Sequence, residues 1–490
     1  MILMIEGHDF HYEMENLCRL FFPYEKIHTT RNLEETGNPQ VYTGVFVRKE
    51  DVLLRVWVKI GEDKKTAEQV APCSMLELDK ECERLLAVLL FGLFVQMCDL
   101  RPPWGILTGV RPVKLLRRLI ADMGREEAIQ YYREGLLVTE EKMKKSLQTM
   151  ENEQKILSRS RPESFSLYLS IPFCPTRCAY CSFVSQSVVN AARLIPEYVE
   201  LLCGEVKRTG QIARELGLRL ESVYVGGGTP TTLTADQLRK VLSTVREGFD
   251  LSCCREFTVE AGRPDTITGE KLEALREMGV SRISINPQTL NDDVLRAIGR
   301  RHSTAQTLEA FALAREKGFC NINMDVIVGL PQDTPASFRN TLEGILQLGP
   351  ESITVHALSL KRSSRINQSG VGFETEDRAA FQMLEYGDER LFQNGYLPYY
   401  LYRQSRMVGN LENTGWAKPG FESDYNVYIM DETHTILACG AGAVSKVKDP
   451  NSDRLERIFN FKFPYEYVSR YQEMITRKER VKELYGQFRE

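Results

Sequence analysis

The sequence predicts an α/β protein: a partial barrel of six β/α units, preceded by a small α+β domain and followed by a C-terminal lobe over the barrel mouth. Three observations carry this. From residue 165 onward, short apolar runs alternate with helix-length segments six times, the rhythm of a parallel sheet. The conspicuous cysteine, glycine and carboxylate motifs fall at the C-terminal ends of those runs, where such sheets gather their working residues. The 490 residues also exceed what one compact core usually holds.

Residues 1–100 read as the α+β domain. Val41–Val47 and Val52–Ile60 alternate like paired strands about the charged turn Arg48–Asp51, and Leu76–Met97 follows the period of an amphipathic helix. Arg101-Pro-Pro-Trp-Gly105 stops that helix. Residues 101–164 form a charged helical bridge, with helical patterning over 112–158. The barrel spans 165–360. Its strands are expected at Leu167–Ile171, Ser222–Val225, Glu256–Glu260, Arg282–Ile285, Ile322–Val328 and Ser352–His356. Helices over Pro196–Leu216, Ala235–Glu247, Glu270–Met278, Ala305–Lys317 and Ser337–Leu348 separate them. Six units fall short of a closed eight-stranded barrel, so an open one is expected. Residues 361–490, rich in aromatic and glycine positions, are expected to form a separate covering lobe.

The formal net charge of −4 exerts no global pull toward nucleic acid or anionic lipid. Met1–Glu6 is too short for a signal peptide. The longest apolar stretch, Leu85–Met97, is shorter than the ~20 residues a bilayer span needs. The 12 cysteines show no secreted disulfide framework. A reducing cytoplasm is therefore expected, where clustered cysteines mean metal or redox chemistry.

The clustered cysteines are Cys174, Cys178 and Cys181, spaced Cys-x3-Cys-x2-Cys directly after the first barrel strand. A zinc site needs a fourth ligand nearby, but the next cysteine is Cys203 and the next histidine His302. Three thiolates suit a [4Fe–4S] cubane in which the fourth iron has no protein ligand and is open to chemistry. Val225-Gly226-Gly227-Gly228-Thr229-Pro230 ends the second strand, and its bare backbone admits a ligand without Cβ interference. Glu260 ends the third strand, Gln288 follows the fourth, and Asp325 lies in the fifth. Each alone could be a loop or helix cap; together at one rim they suggest hydroxyl and ammonium recognition. Arg300 and Arg301, on the helix expected after Gln288, read as a carboxylate clamp or a solvated helix end.

The stretch 165–445 resembles the oxygen-independent coproporphyrinogen III oxidase family of radical S-adenosylmethionine (SAM) proteins. The residues carrying the resemblance are Tyr168-x-x-Ile-Pro-Phe-Cys-x3-Cys-x-Tyr-Cys181, Gly226-Gly-Gly-Thr-Pro230, Glu260, Gln288 and Asp325-x3-Gly-Leu-Pro331, in that order. With the N-terminal domain, Gly409-Asn-Leu-Glu-Asn413 and Gly440-Ala-Gly-Ala-Val-Ser445, it is most similar to the family's coproporphyrinogen dehydrogenase HemZ branch.

The resemblance implies a radical SAM partial barrel in which Cys174, Cys178 and Cys181 ligate the [4Fe–4S] cluster. It places Tyr168 near the SAM sulfonium, and Tyr180, Gly227 and Glu260 on the same SAM, with Tyr168 and Glu260 at the reacting end. Gly228, Thr229, Gln288, Arg300 and Asp325 match positions that hold a second SAM in the family, so one or two SAM molecules are expected. The implied reaction is oxidative decarboxylation of two coproporphyrinogen III propionates to vinyl groups, giving protoporphyrinogen IX. A low-potential donor such as flavodoxin or ferredoxin would supply electrons; no membrane or nucleic-acid partner is expected. The tetrapyrrole carboxylates would meet Arg362, Arg365 and Arg403, the last amid Tyr399, Tyr400 and Tyr402.

Two departures bear on this. The authentic oxidase continues as Cys-x-Cys, whereas Cys181 is followed by Ser182-Phe183, an ending resembling the heme-chaperone branch. That branch has His-Asn-x-x-Tyr-Trp in its C-terminal lobe, and here the stretch is Asp424-Tyr-Asn-Val-Tyr-Ile429, leaving Tyr425 or Tyr428 as the heme ligand. Heme delivery is thus the alternative function. Action on RNA would rest on Arg111–Arg118 alone, a run that reads as a solvated helix face.

Overall fold

The computed structural model describes residues 1–72, 79–181, 185–359, 377–404 and 407–488. The chain divides into two units, 1–147 with 403–411, and 148–402 with 412–490. The boundary near 147 falls within one helix, Glu140–Leu157, and not at the expected breaks near 100 and 164.

The first unit is built on a five-stranded sheet, with β1 Ile2–Glu6, β2 His28–Thr30, β3 Gln40–Val47, β4 Asp51–Ile60 and β5 Asp63–Pro72 in the order β2-β1-β3-β4-β5. The anticipated hairpin is present: Val47 faces Val52 in register, and Arg48 N–H donates to the Asp51 carbonyl at 2.8 Å. The alternation that marks it also buries Val41, Val45, Val52, Leu54, Val56 and Val58 against the helices His11–Phe21 and Asp79–Cys98. The edge strand β5 escaped the sequence reading because Asp63-Lys-Lys-Thr-Ala-Glu-Gln is polar on nearly every position. It is held by backbone pairing to β4 and its charge protects an edge.

The second unit has, among the described residues, an eleven-stranded sheet. Its parallel centre consists of β6 Ser164–Ile171, β9 Arg219–Gly227, β10 Glu256–Glu260, β11 Arg282–Ser284, β12 Ile322–Val328 and β13 Ser352–Ala357. Two short strands, β7 Phe173–Cys174 and β8 Gln186–Ser187, pair beside it. These six central strands are the six expected from sequence. Leu167, Leu169, Val223, Val225, Met324, Val326 and Val355 are buried on the apolar face of these strands, while the alternate residues Ser166, Tyr168, Ser222, Tyr224, Asp325 and Thr354 are polar or aromatic. Helix starts follow the chemistry of their first turns: capping boxes at Thr234/Gln237 and Ser303/Gln306 open Ala235–Gly248 and Thr304–Glu316.

The C-terminal residues do not form the separate lobe expected. They extend the barrel sheet at both edges. β14 Leu397–Tyr402 and β15 Asn413–Ala417 add antiparallel beyond β13. β16 Thr435–Cys439 adds parallel to β6, followed by the antiparallel β17 Val444–Lys448 and β18 Leu455–Phe459. The open edges of a partial barrel expose unpaired backbone groups, and these strands pair them. No described helix is long and apolar enough to cross a membrane.

Candidate functional site

β6 and β9 lie side by side with Ser170 opposite Gly226 and Ile171 opposite Gly227. The cysteine loop leaves the end of β6, and the glycine run ends β9. The two are then stitched together: Gly228 N–H donates to the Ile171 carbonyl at 2.8 Å, and Thr229 N–H to the Phe173 carbonyl at 2.8 Å. This is why residue 228 is glycine. A Cβ there would stand 2.6 Å from the Phe173 carbonyl oxygen and 2.9 Å from that of Ile171. At Gly227 the backbone φ of +106° imposes the same choice.

The three thiols sit on the resulting loop. Thr229 Oγ1 donates to Cys174 Sγ at 3.5 Å, and Cys181 N–H closes a turn on the Cys178 carbonyl at 3.2 Å. Ala179 N–H is held by the Ile298 carbonyl at 2.9 Å, and Thr176 Oγ1 by that of Gly299 at 3.2 Å. Arg300, buried in the turn after the helix Asp292–Ala297, donates to the Asn286 carbonyl at 2.5 Å and lies in the electrostatic field of the Tyr180 hydroxyl and the Cys178 thiol. Burial holds the Tyr180 phenol well above its ordinary range. Among the described residues, no three His, Cys, Asp or Glu side chains converge to hold a single metal ion. A cubane spreads its irons apart, so its thiolates need not meet at a point, and hydroxyl and guanidinium donors beside cysteine sulfur suit that group.

Inside the barrel, Tyr168 stacks on Tyr224 and Tyr425 with ring centroids 6.3 and 6.1 Å away, and Tyr224 and Tyr425 stack at 4.4 Å. Tyr224 donates to Glu260 Oε1 at 2.7 Å. Burial pushes the Glu260 carboxyl up to about 7. Gly226 leaves room for it: a Cβ there would meet Glu260 Cδ at 3.0 Å. Beyond it, Gln288 adopts a left-handed φ of +68° because its backbone is clamped to β12, its N–H on the Asp325 carbonyl at 2.9 Å and its carbonyl on Ile327 N–H at 3.1 Å. Gln288 Oε1, Asn286 Oδ1 and Ser284 Oγ are buried without a hydrogen-bond partner, an arrangement suited to receiving a polar ligand. Asp325 accepts from Asn323 Nδ2 at 2.7 Å and faces His356 at 3.8 Å. Burial opposes its ionisation, but His356, Asn323 and Thr354 together hold its carboxyl below the usual range.

Gly228 and Thr229 thus adjoin the cysteine loop that carries Tyr180, with Arg300 in the field of its thiols; Tyr168 and Glu260 meet through Tyr224 beside Gly227, and Gln288 is clamped beside Asp325. The three proposed substrate arginines fare differently. Arg362 and Arg365 lie outside the described residues. Arg403 belongs to the first unit and is only 5% exposed; its guanidinium donates to the carbonyls of Leu107 and Asn410 and packs over Trp104. A propionate would have to displace these partners, so the structure gives Arg403 a bracing task and not the substrate contact expected.

Other contributors carried no motif. Buried Arg282, at the start of β11, donates to Ser352 Oγ at 3.0 Å and sits in the field of Glu256 and Glu260. Fully buried Glu205 accepts from Gly440 N–H and the Tyr467 hydroxyl, each at 2.7 Å, and pairs with Lys478 at 2.8 Å. Tyr198 joins this anchor to the end of β6: its hydroxyl donates to the Ser170 carbonyl at 2.8 Å and accepts from Ala441 N–H at 2.9 Å. The only sequence signal for the anchor was Gly440-Ala-Gly-Ala, whose Gly440 has φ +97° and approaches the Ser170 carbonyl.

An open parallel barrel with a three-cysteine loop after its first strand and a glycine run after its second defines a radical SAM protein, and residues 168–345 match the Radical SAM superfamily. Such proteins use a [4Fe–4S] cluster and SAM, and the thiols, bare glycine backbone and unpartnered polar atoms described above fit both. The chain is 36% identical over 98% of its length, and 97% of the relative's, to the oxygen-independent coproporphyrinogen-III oxidase-like protein HemZ of Bacillus subtilis. It belongs to that family. It is also 33% identical to the heme chaperone HemW of Lactococcus lactis, over 57% of this chain and 68% of that protein. In fold it resembles the coproporphyrinogen III oxidase HemN of Escherichia coli, with a TM-score of 0.53 at 24% identity, over 66% of this chain and 72% of that one.

Proposed function

We propose that this chain catalyses the oxidative decarboxylation of coproporphyrinogen III propionates to vinyl groups, yielding protoporphyrinogen IX in a reducing cytoplasm. The observation that carries this over heme delivery is the state of the segment where the chaperone branch has its histidine. Tyr425 is locked in the Tyr168–Tyr224 stack. Tyr428 is 0% exposed, donates to the Ile156 carbonyl at 3.3 Å and accepts from Arg255 at 2.7 Å. Burial holds both phenols well above their ordinary range. Neither is a tyrosinate ready to ligate heme iron.

In this reading Cys174, Cys178 and Cys181 would hold the cluster, and the Gly226–Thr229 backbone and Glu260 would hold SAM. When bound, this pair supplies a 5′-deoxyadenosyl radical by one-electron cleavage of SAM, the agent that removes a hydrogen from the propionate β-carbon. The chain's own residues bind, orient and shield. Glu260 offers an oxygen to a cationic or hydroxyl group, and its neutral tendency when empty reverses as positive charge arrives. Asp325, already ionised, offers a second such site beside Gln288. The stacked Tyr168, Tyr224 and Tyr425 exclude water, which a primary carbon radical requires. Arg282 offsets part of the buried negative charge.

The test is anaerobic reconstitution with SAM, a reductant, an electron acceptor and coproporphyrinogen III, followed by mass spectrometry. Stepwise loss of two CO2 with matching 5′-deoxyadenosine is expected. SAM cleavage without tetrapyrrole conversion, or tight heme binding without cleavage, would overturn the assignment.

A further inference from the structure

Against the cysteine loop lies a cavity of about 720 Å³. Pro175, Thr176 and Arg177, the residues between the first two cysteines, form one wall; Arg296, Arg301 and His302 line the other. His302 is 3% exposed, and neither of its ring nitrogens makes a hydrogen bond of ordinary geometry. Arg300 also lines the cavity while its guanidinium donates to the Asn286 carbonyl. The lining is therefore one loop away from the thiols.

Its charge is unbalanced. Asp292 is the acid of the lining, and its carboxylate accepts from Thr304 N–H at 2.7 Å and Thr304 Oγ1 at 2.8 Å. Arg296 is paired on the surface with Asp293, an exposed pair of small worth. Arg301 is exposed and has no ion pair among the described residues. Val189, 83% exposed, adds an apolar point to the same lining. Arginine around an exposed apolar side chain suits docking by an acidic protein surface.

We propose that this cavity is the docking site of an acidic one-electron carrier protein that reduces the cluster. The inference rests on the radical SAM part of the reading above and not on the identity of the tetrapyrrole. SAM, in that reading, is held by the glycine run Gly226–Thr229, none of which lines the cavity, so the cavity is left open to an electron from another protein. Each turnover takes one electron from the carrier, which is oxidised by one; the electron ends in the cleaved C5′–S bond of SAM, leaving methionine and the adenosyl radical. A basic rim accelerates such an encounter and makes it salt-sensitive.

The test uses the full-length reconstituted protein and an acidic bacterial flavodoxin hydroquinone as probe. Stopped-flow absorbance follows flavin oxidation in the parent, Arg301→Glu, Arg296→Glu and Val189→Asp. Photoreduced 5-deazaflavin, which needs no docking surface, drives SAM cleavage in parallel. Each variant should transfer electrons roughly five- to tenfold more slowly at low ionic strength, with the gap closing in high salt. Deazaflavin-driven cleavage should be unchanged. Equal flavodoxin rates in all four proteins would overturn the proposal. So would a matching loss of deazaflavin-driven cleavage, which would assign the arginines to a cofactor or substrate pocket. If the tetrapyrrole is not decarboxylated while the flavodoxin effect holds, the proposed reaction fails and the docking site stands.

Discussion

Replacing Glu260 by Gln tests the charge logic of the barrel interior. Burial raises this carboxyl to about 7, so in the SAM-free protein its neutral form dominates below that pH. The stability it lends is full at low pH and is lost as pH rises through 7. Binding a cationic ligand favours the ionised form, so affinity runs the opposite way. Such a carboxyl is about one-eleventh ionised at pH 6.0 and about three-quarters at pH 7.5, which makes SAM binding about eightfold tighter at the higher pH. The Gln variant removes that slope and also a charge-assisted hydrogen bond of roughly 1.5–3 kcal/mol, so SAM should bind roughly 10- to 100-fold more weakly at pH 7.5. Anaerobic equilibrium dialysis at both pH values measures this. The amino group of SAM titrates equally against both proteins, so the ratio of the two affinities isolates Glu260. A ratio that stays constant between pH 6.0 and 7.5 would refute the reasoning, whatever its size.

Three further outcomes follow from the same geometry. Gly228→Ala forces a Cβ against two carbonyl oxygens of the cysteine loop; it should lower stability by about 1–3 kcal/mol and leave iron and sulfide after reconstitution well below parent values. Glu205→Gln strands Lys478 in the interior and should cost about 3–5 kcal/mol in chemical denaturation, whereas Glu205→Gln with Lys478→Met, which keeps an acceptor for Gly440 N–H and the Tyr467 hydroxyl, should recover part of the loss. His434, whose ring nitrogens meet Ser160 and Ser166, is held down to about 3 by burial. Its unfolded form takes a proton below about 6.5, so stability should fall on acidification by about 2 kcal/mol at pH 5 relative to pH 7.5, and His434→Gln should flatten that dependence.

The sequence was most readable where local chemistry and position coincide. The six central strands were found because short β-like runs with a buried apolar face recur between helix-length segments, and the cysteine loop because three thiols in eight positions have few other uses. Polar β5 was missed because pairing alone makes it a strand. The fate of the C-terminal region was misjudged for a related reason: nothing in Leu397–Tyr402 or Thr435–Cys439 states which sheet edge each will pair with. The site showed the same division. Glu260 and Gln288 were expected from strand ends and Asp325 from within the fifth strand. Arg282, His356 and Glu205 were not, because their partners are distant in sequence and single charged residues look alike until folding removes them from water. Arg403 illustrates the converse, since its aromatic neighbourhood suggested a ligand pocket while its hydrogen bonds go to backbone.

The assignment of residues 403–411 to the first unit has a bearing on how the molecule is made. A ribosome finishes residue 147 long before it reaches residue 411. At ~10 residues per second the N-terminal unit lacks its last segment, and the bracing guanidinium of Arg403, for roughly half a minute. During that interval Trp104 and the Leu107 carbonyl await their partner. The two units are thus not beads made in succession. The earlier one is completed only after most of the later one has left the ribosome, and cutting the chain at residue 147 would release a fragment that is unfinished by birth.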